Sequence, residues 1–133
     1  LYTLLDHTQT VRDIAWSPDE SKIVSVAQDY TVKLWSNATG FLLRSMLDTS
    51  FGLAASWSAD SQWFVTGSQG NPPSSAPAFV VWNAAGVEQC RVDQTQPVWG
   101  VSWSTGNDIV TAGGDLTARI WTPACTAAAP KSR

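Results

Sequence analysis

VRDIAWSPD, residues 11–19, is the stretch on which the fold turns. It runs a short apolar segment into a Trp and closes on a Ser-Pro-Asp turn. The same outline returns as GLAASWSAD at 52–60 and as VWGVSWSTG at 98–106. Trp16, Trp57 and Trp103 therefore form one series, with steps of 41 and 46 residues. A second series, Trp35, Trp82 and Trp121, closes the segments YTVKLWS (30–36), AFVVWN (78–83) and LTARIWT (116–122). Between the two series lie IVSVAQD (23–29), FVTGSQG (64–70) and IVTAGGD (109–115). Self-similarity at this period marks stacked supersecondary units rather than one ordinary domain of 133 residues.

The texture inside each unit is that of strands. Runs of four to seven β-branched and aromatic residues are bounded by turn residues, and no window carries an apolar 3.6 period. Four short strands per unit are expected, near 1–5, 11–17, 22–27, 31–35, 41–47, 51–58, 62–67, 78–82, 86–92, 98–104, 108–112 and 117–121. Several are apolar on both faces, which suits sheets stacked between sheets.

Composition removes several function classes. The net charge is −3, and the eight basic residues are scattered, so neither a nucleic-acid footprint nor a polybasic membrane anchor is expected. No apolar run approaches the roughly 18 residues of a membrane-spanning helix. Two cysteines, Cys90 and Cys125, make neither a disulfide framework nor a zinc set. They point to a reduced, intracellular protein, cytoplasmic or nuclear, with Cys90 as a small apolar filler. No metal or other cofactor is expected.

These segments resemble the WD40 repeat family, whose units carry Gly-His near the start and Trp-Asp at the end over four strands. Asp6-His7 stands for Gly-His here, and Trp35-Ser36, Trp82-Asn83 and Trp121-Thr122 stand for Trp-Asp. The resemblance covers about 1–122, in units of approximately 1–40, 41–85 and 86–122, with 123–133 an Ala/Pro-rich tail or linker. It implies an all-β fold, a partial β-propeller of about three four-stranded antiparallel blades.

His7, Ser25 and Asp29 invite a hydrolase reading. The resemblance implies a structural one: a buried chain from the Trp35 indole N–H through Ser25 and His7 to Asp29. A buried indole donor needs an acceptor and a buried carboxylate needs donors, so the chain is physically coherent. The Ser/Thr–Asp–Trp spacing recurs as Thr111, Asp115 and Trp121, and a nucleophile has no reason to recur once per repeat. Asp48 and Gln94 take the His position in units two and three, and Gly70 takes the Asp position in unit two. Unit one is therefore expected to be the stiffest and unit two the softest.

The resemblance also implies that function lies on exposed residues of a rigid, non-catalytic scaffold that binds a protein or peptide. A bulge in each innermost strand is expected to expose Arg12-Asp13, Leu53-Ala54 and Trp99-Gly100. Trp99 belongs to neither Trp series, so packing does not require it, and Trp and Arg are frequent interface anchors. An insertion over 70–77, with Asn71, Pro72 and Pro73, is expected to be a stiff loop beside the same face. The alternative is a propeller enzyme or small-ligand binder with its site at the central channel. Asn37-Ala38-Thr39 matches a glycosylation sequon, but Thr39-Gly40 reads as a turn.

About three blades fall short of the four to eight that close a propeller. Residues 1–5 read as the last strand of a unit whose other strands are elsewhere, and the third unit lacks its fourth strand. The expectation is a piece of a larger propeller, or else copies that assemble.

Overall fold

The structure is a computed structural model that describes residues 2–48, 50–71 and 75–122. The tail and Pro72 and Pro73 lie outside the described residues. Eleven strands make up three antiparallel sheets, and no helix occurs among the described residues. The first sheet runs in order through β1 (Val11–Trp16), β2 (Lys22–Ala27), β3 (Thr31–Ser36) and β4 (Leu42–Leu47). The second repeats this with β5 (Gly52–Trp57), β6 (Trp63–Ser68), β7 (Ala78–Asn83) and β8 (Glu88–Asp93). The third has three strands, β9 (Val98–Trp103), β10 (Ile109–Gly113) and β11 (Ala118–Trp121). Each strand follows its neighbour through a hairpin, and β5 packs between β1 and β9.

Alternation explains why the middle sheet is apolar on both sides. Phe64, Val80 and Trp82 face the first sheet, where Val24, Val26, Val32 and Leu34 complete one core. Val65, Phe79 and Val81 face the third sheet, where Val98, Ile109 and Trp121 complete a second. Successive side chains of a strand point to opposite faces, so one strand feeds two cores. Trp63 and Phe64 divide accordingly, Trp63 half-buried and Phe64 wholly buried.

The sheets approach closely where a side chain is missing. A β-carbon on Gly67 would stand 2.9 Å from Val98 Cγ1, and one on Gly52 would stand 2.8 Å from Val26 Cβ. Gly40 ends the Thr39-Gly40 turn with φ of 70°, donating its N–H to Ser36 C=O at 2.8 Å.

Two expectations are corrected here. Residues 2–5 form no strand. A strand needs a partner for its backbone groups, and none of the described strands pairs with this segment. It is held by side chains instead: Tyr2 Oη donates to Ala38 C=O at 3.2 Å, and Lys33 Nζ pairs with Asp6. The second correction concerns Cys90 in β8, which packs against the second core but is disulfide-bonded, so it is not a free filler.

Burial argues for a different order of stiffness from the one that hydrogen-bond completeness implies. Strands β6 and β7 are buried at ten of their twelve residues, and β2 and β3 of the first sheet at eight of theirs, with Lys22, Ile23, Thr31 and Ser36 half-buried. A second buried face involves several side chains at roughly 1.5–3 kcal/mol each, against about 1 kcal/mol for a typical hydrogen bond. Amide hydrogen exchange is therefore expected to be slower in 62–82 than in 22–35. The reverse order would mean that hydrogen-bond completeness, not burial, governs local stability.

Candidate functional site

One end of the stack gathers every loop that precedes β1, β5 and β9. Backbone bonds tie each to a hairpin of its own sheet: Gln28 N–H to Thr10 C=O at 3.0 Å, Gln69 N–H to Phe51 C=O at 3.0 Å, and Gly114 N–H to Pro97 C=O at 2.8 Å. The ladder slips once in each innermost strand at this end, between Val11 and Asp13, between Gly52 and Ala54, and opposite Ala112/Gly113. The extra residues are Arg12, Leu53 and Trp99.

Their surroundings differ. Arg12 is exposed and Leu53 is half-buried. Trp99 is 53% exposed, with its ring edge on the β10–β11 turn: a β-carbon on Gly114 would lie 3.1 Å from Trp99 Nε1. Ala54 is buried, so the second bulge shows only Leu53. Asp13 is half-buried, and its Oδ2 accepts the Ala55 N–H from the neighbouring sheet at 2.9 Å. That bond makes Asp13 a link between sheets rather than a free surface charge. The first and second sheets supply such accepting groups, 42 and 47 residues from their donors, the second case being Ser56 Oγ accepting the Trp103 N–H at 3.0 Å. Bonds at repeat spacing are the signal that sequence reasoning passed over.

The insertion joins the same end. Asn71 and Ser75 exchange backbone bonds of 3.0 and 3.1 Å, closing the loop at its base. Asn71 Nδ2 donates to Tyr30 Oη at 3.3 Å, and Gly70 N–H donates to Ser50 Oγ at 2.5 Å. Tyr30 sits at the apex of the β2–β3 hairpin with φ of 63° and stacks on Phe51 at 4.8 Å.

The four residues of unit one lie in one connected chain. Trp35 Nε1 donates to Ser25 Oγ at 2.8 Å, Ser25 Oγ lies 2.7 Å from His7 Nε2, and His7 Nδ1 lies 2.9 Å from Asp29 Oδ2. Ser25 accepts the indole proton, so its own proton goes to Nε2; the Nδ1 proton then faces Asp29. Burial works to raise the Asp29 pKa. Hydrogen bonds from the Thr31 hydroxyl, the Thr8 N–H and His7 outweigh it and hold the carboxyl at about 2.

Units two and three keep only parts of the chain. Trp82 Nε1 donates to Thr66 Oγ1 at 2.9 Å, and Trp121 Nε1 donates to Thr111 Oγ1 at 2.9 Å. Asp48 is buried and pairs with Arg91 at 3.2 Å. Asp115 turns to Thr117 and Arg119, which hold its carboxyl at about 2. Gln94 bonds to the Asp93 carbonyl instead of entering a chain. Ser25 is 3% exposed, which leaves a substrate no approach to its hydroxyl. No group of three or more His, Cys, Asp or Glu side chains suited to a metal occurs among the described residues.

The WD40 family pattern, described as WD domain, G-beta repeat, matches residues 1–36 and 88–122, more than half of the chain. The chain belongs to the WD40 repeat family. It is 38% identical over 71 residues to an uncharacterised WD repeat-containing protein of Synechocystis, a match covering 51% of this chain and 20% of that protein. It is 29% identical to the protein transport protein SEC13 of Chaetomium globosum, covering 89% of this chain and 28% of the relative. A chain in the crystal structure of the mitotic checkpoint complex superposes with a TM-score of 0.87 at 22% identity, over 99% of this chain and 41% of that one. The chain thus spans under a third of these two curated relatives' lengths. Against the WD40 pattern, the three sheets are partial-propeller blades, and the loop end is one face of that propeller.

Proposed function

We propose that this WD40 chain is part of a non-catalytic scaffold whose loop face holds a protein or peptide partner. The observation that carries the reading is Trp99, a large indole 53% exposed at a bulge on a rigid sheet. Leaving it in water forgoes burial worth roughly 1.5–3 kcal/mol for a large apolar side chain, and a partner would recover that. Arg12, Leu53 and the Asn71 loop stand on the same face; Pro72 and Pro73 are included on sequence grounds alone. Asp13 contributes by fixing the bulge rather than by contact. The relative named for protein transport and the neighbour solved within a checkpoint complex fit a protein that works through assemblies. His7, Ser25, Asp29 and Trp35, with Thr111, Asp115 and Trp121, serve as internal bracing in this reading.

Affinity capture from source cells tests it. Trp99→Ala and deletion of 71–77 are each expected to reduce recovery of the native partner by roughly tenfold or more. Undiminished recovery with both variants would place the interface elsewhere. The open ends of the stack also need further sheets, from a longer chain or from other copies.

The scaffold is proposed to work inside the cell, in cytoplasm or nucleus. No helix among the described residues is long and apolar enough to cross a membrane. Such compartments keep thiols reduced, whereas Cys90 is disulfide-bonded in this structure, so alkylation of Cys90 in fresh lysate tests the location directly. Complete protection, matching the disulfide of the structure, would move the protein to an oxidising compartment.

A further inference from the structure

Trp63 belongs to neither Trp series and lies away from the loop face, at the start of β6. It holds the position of Lys22 in the first sheet and of Asp108 in the third. The N–H groups of Ser17, Ser58 and Ser104 donate to the C=O of Lys22, Trp63 and Asp108 in turn, at 2.9, 2.9 and 2.8 Å. Charged residues fill this position in the other two units, so the repeat does not call for an aromatic ring there. Trp63 is half-buried at the edge of the second core, with a hollow on either side of it. One hollow lies between the first and second sheets and the other between the second and third, so each has both of its walls.

The two joints differ at their turns. At the first, Asp19 N–H donates to Ser61 Oγ at 3.0 Å and draws the turns together. At the second, Asn107 stands where Ser61 does, three residues after its turn Ser and likewise at positive φ, 67° against 59°. Its Oδ1 accepts the Trp103 Nε1 proton at 3.0 Å instead. A space of about 160 Å³ remains there, lined by Ser58, Asp60, Trp63, Ser104 and Asn107 among others. Among the described residues no Lys or Arg lines it, whereas Lys22 lines the hollow on the other side of the ring. Asp60 is exposed, and Ser58 Oγ and the Gln62 N–H both donate to its Oδ1, at 2.6 and 3.0 Å. These bonds hold its carboxyl below the ordinary carboxylate range and leave Oδ2 able to accept from an incoming donor.

We propose that this hollow receives an arginine side chain of a partner protein, its guanidinium lying against the Trp63 indole and donating to the Asp60 carboxylate. A planar cation can stack on an aromatic face and still direct N–H groups sideways at acceptors. A Lys ammonium is more strongly hydrated and cannot stack, so the site favours Arg. The Ser104 hydroxyl and the Asn107 side-chain carbonyl add acceptors at the rim. The net charge of −3 favours the approach of a basic segment. The site stands at the end of the stack opposite Arg12, Leu53 and Trp99, so it is a second contact beyond the loop-face reading.

Calorimetric titration of the complete natural protein tests the site. The probe is a blocked pentapeptide with arginine at its centre and glycine and alanine around it. Saturable binding is expected, and roughly tenfold weaker binding when citrulline, which keeps the shape and loses the charge, replaces the arginine. The lysine version should also bind more weakly. Asp60→Asn keeps an oxygen for Ser58 and Gln62, so circular dichroism should be unchanged while affinity falls severalfold, an effect that fades as salt is added. Trp63→Lys places the residue of the first sheet in the second and should abolish saturation. No saturation with the wild-type protein, citrulline or lysine peptides as tight as the arginine one, or undiminished affinity in Asp60→Asn would each overturn the site. Trp99→Ala, at the other end of the stack, should bind the arginine peptide as the wild type does, so this proposal and the loop-face reading fail separately.

Discussion

Phe64→Ala is expected to cost about 3–5 kcal/mol of stability, the range for truncating a buried Phe. Phe64 is 0% exposed and sits between two indoles, Trp57 at 5.0 Å and Trp82 at 6.1 Å. Removing the ring takes away the transfer free energy of the lost atoms and leaves a cavity. That cavity cannot collapse cheaply, because each indole is anchored by its N–H: Trp57 to Ala15 C=O and Trp82 to Thr66 Oγ1. Either ring can move into the space only by breaking its bond. The effect should appear in urea as a lower midpoint with an unchanged slope. Leu43→Ala, in β4 and 51% exposed, is the control and should stay within about 0.5 kcal/mol. A loss below about 1 kcal/mol for Phe64→Ala would mean that the first two sheets are not packed as described.

His7→Ala should cost about 3 kcal/mol, the upper end of what losing a hydrogen bond to a charged group costs. The His7 and Asp29 side chains are 5% and 4% exposed, so water cannot readily replace the imidazole. Asp29 loses one of its stabilising donors, and Ser25 loses the acceptor of its proton. Acid titration supplies a second readout. The folded Asp29 pKa, about 2, lies below the ordinary value near 3.8. The folded state therefore binds the proton less readily than the unfolded chain does. That contribution, on the order of 2 kcal/mol, is complete above the unfolded pKa and is lost as pH falls from about 4 through about 2. In His7→Ala the folded pKa moves back toward the ordinary value, so less stability is lost over that window. An acid limb as steep as wild type would mean that His7 does not support the carboxylate.

The sheets were legible because their evidence is local. Two Trp series, three Ser-centred turns and small-residue strands between them mark the strands with little need for long-range knowledge. The bulges at Arg12, Leu53 and Trp99 follow from the same register. What the sequence hid depends on neighbours in space. Residues 1–5 have the composition of a strand, yet a ladder partner decides whether one forms. Asp13 reads as a surface charge until Ala55 N–H, 42 residues on, is seen to claim it. Cys90 reads as filler because a disulfide is made in space and leaves no mark on the strand pattern. The order of stiffness turns on a related difference: hydrogen-bond residues can be counted along the chain, whereas being the middle of three sheets cannot.

The pinning of residues 2–7 has a practical corollary for where this chain can be cut. A truncation beginning at Val11 would preserve every strand of the first sheet, and by strand count it would look harmless. It would nevertheless strip Lys33, 5% exposed, of Asp6 and strip Asp29 of both His7 and the Thr8 N–H. It would leave a buried cation without its carboxylate, a loss of the strongly destabilising kind, and a buried carboxylate held by Thr31 alone. The unit that was copied along the chain and the unit that folds as a sheet are thus out of phase. The copied unit begins in the loop that carries His7 and ends at Trp35, whereas the sheet begins at Val11 and ends at Leu47. Boundaries for excision, fusion or transplantation belong ahead of the loop, not at the first hydrogen-bonded strand.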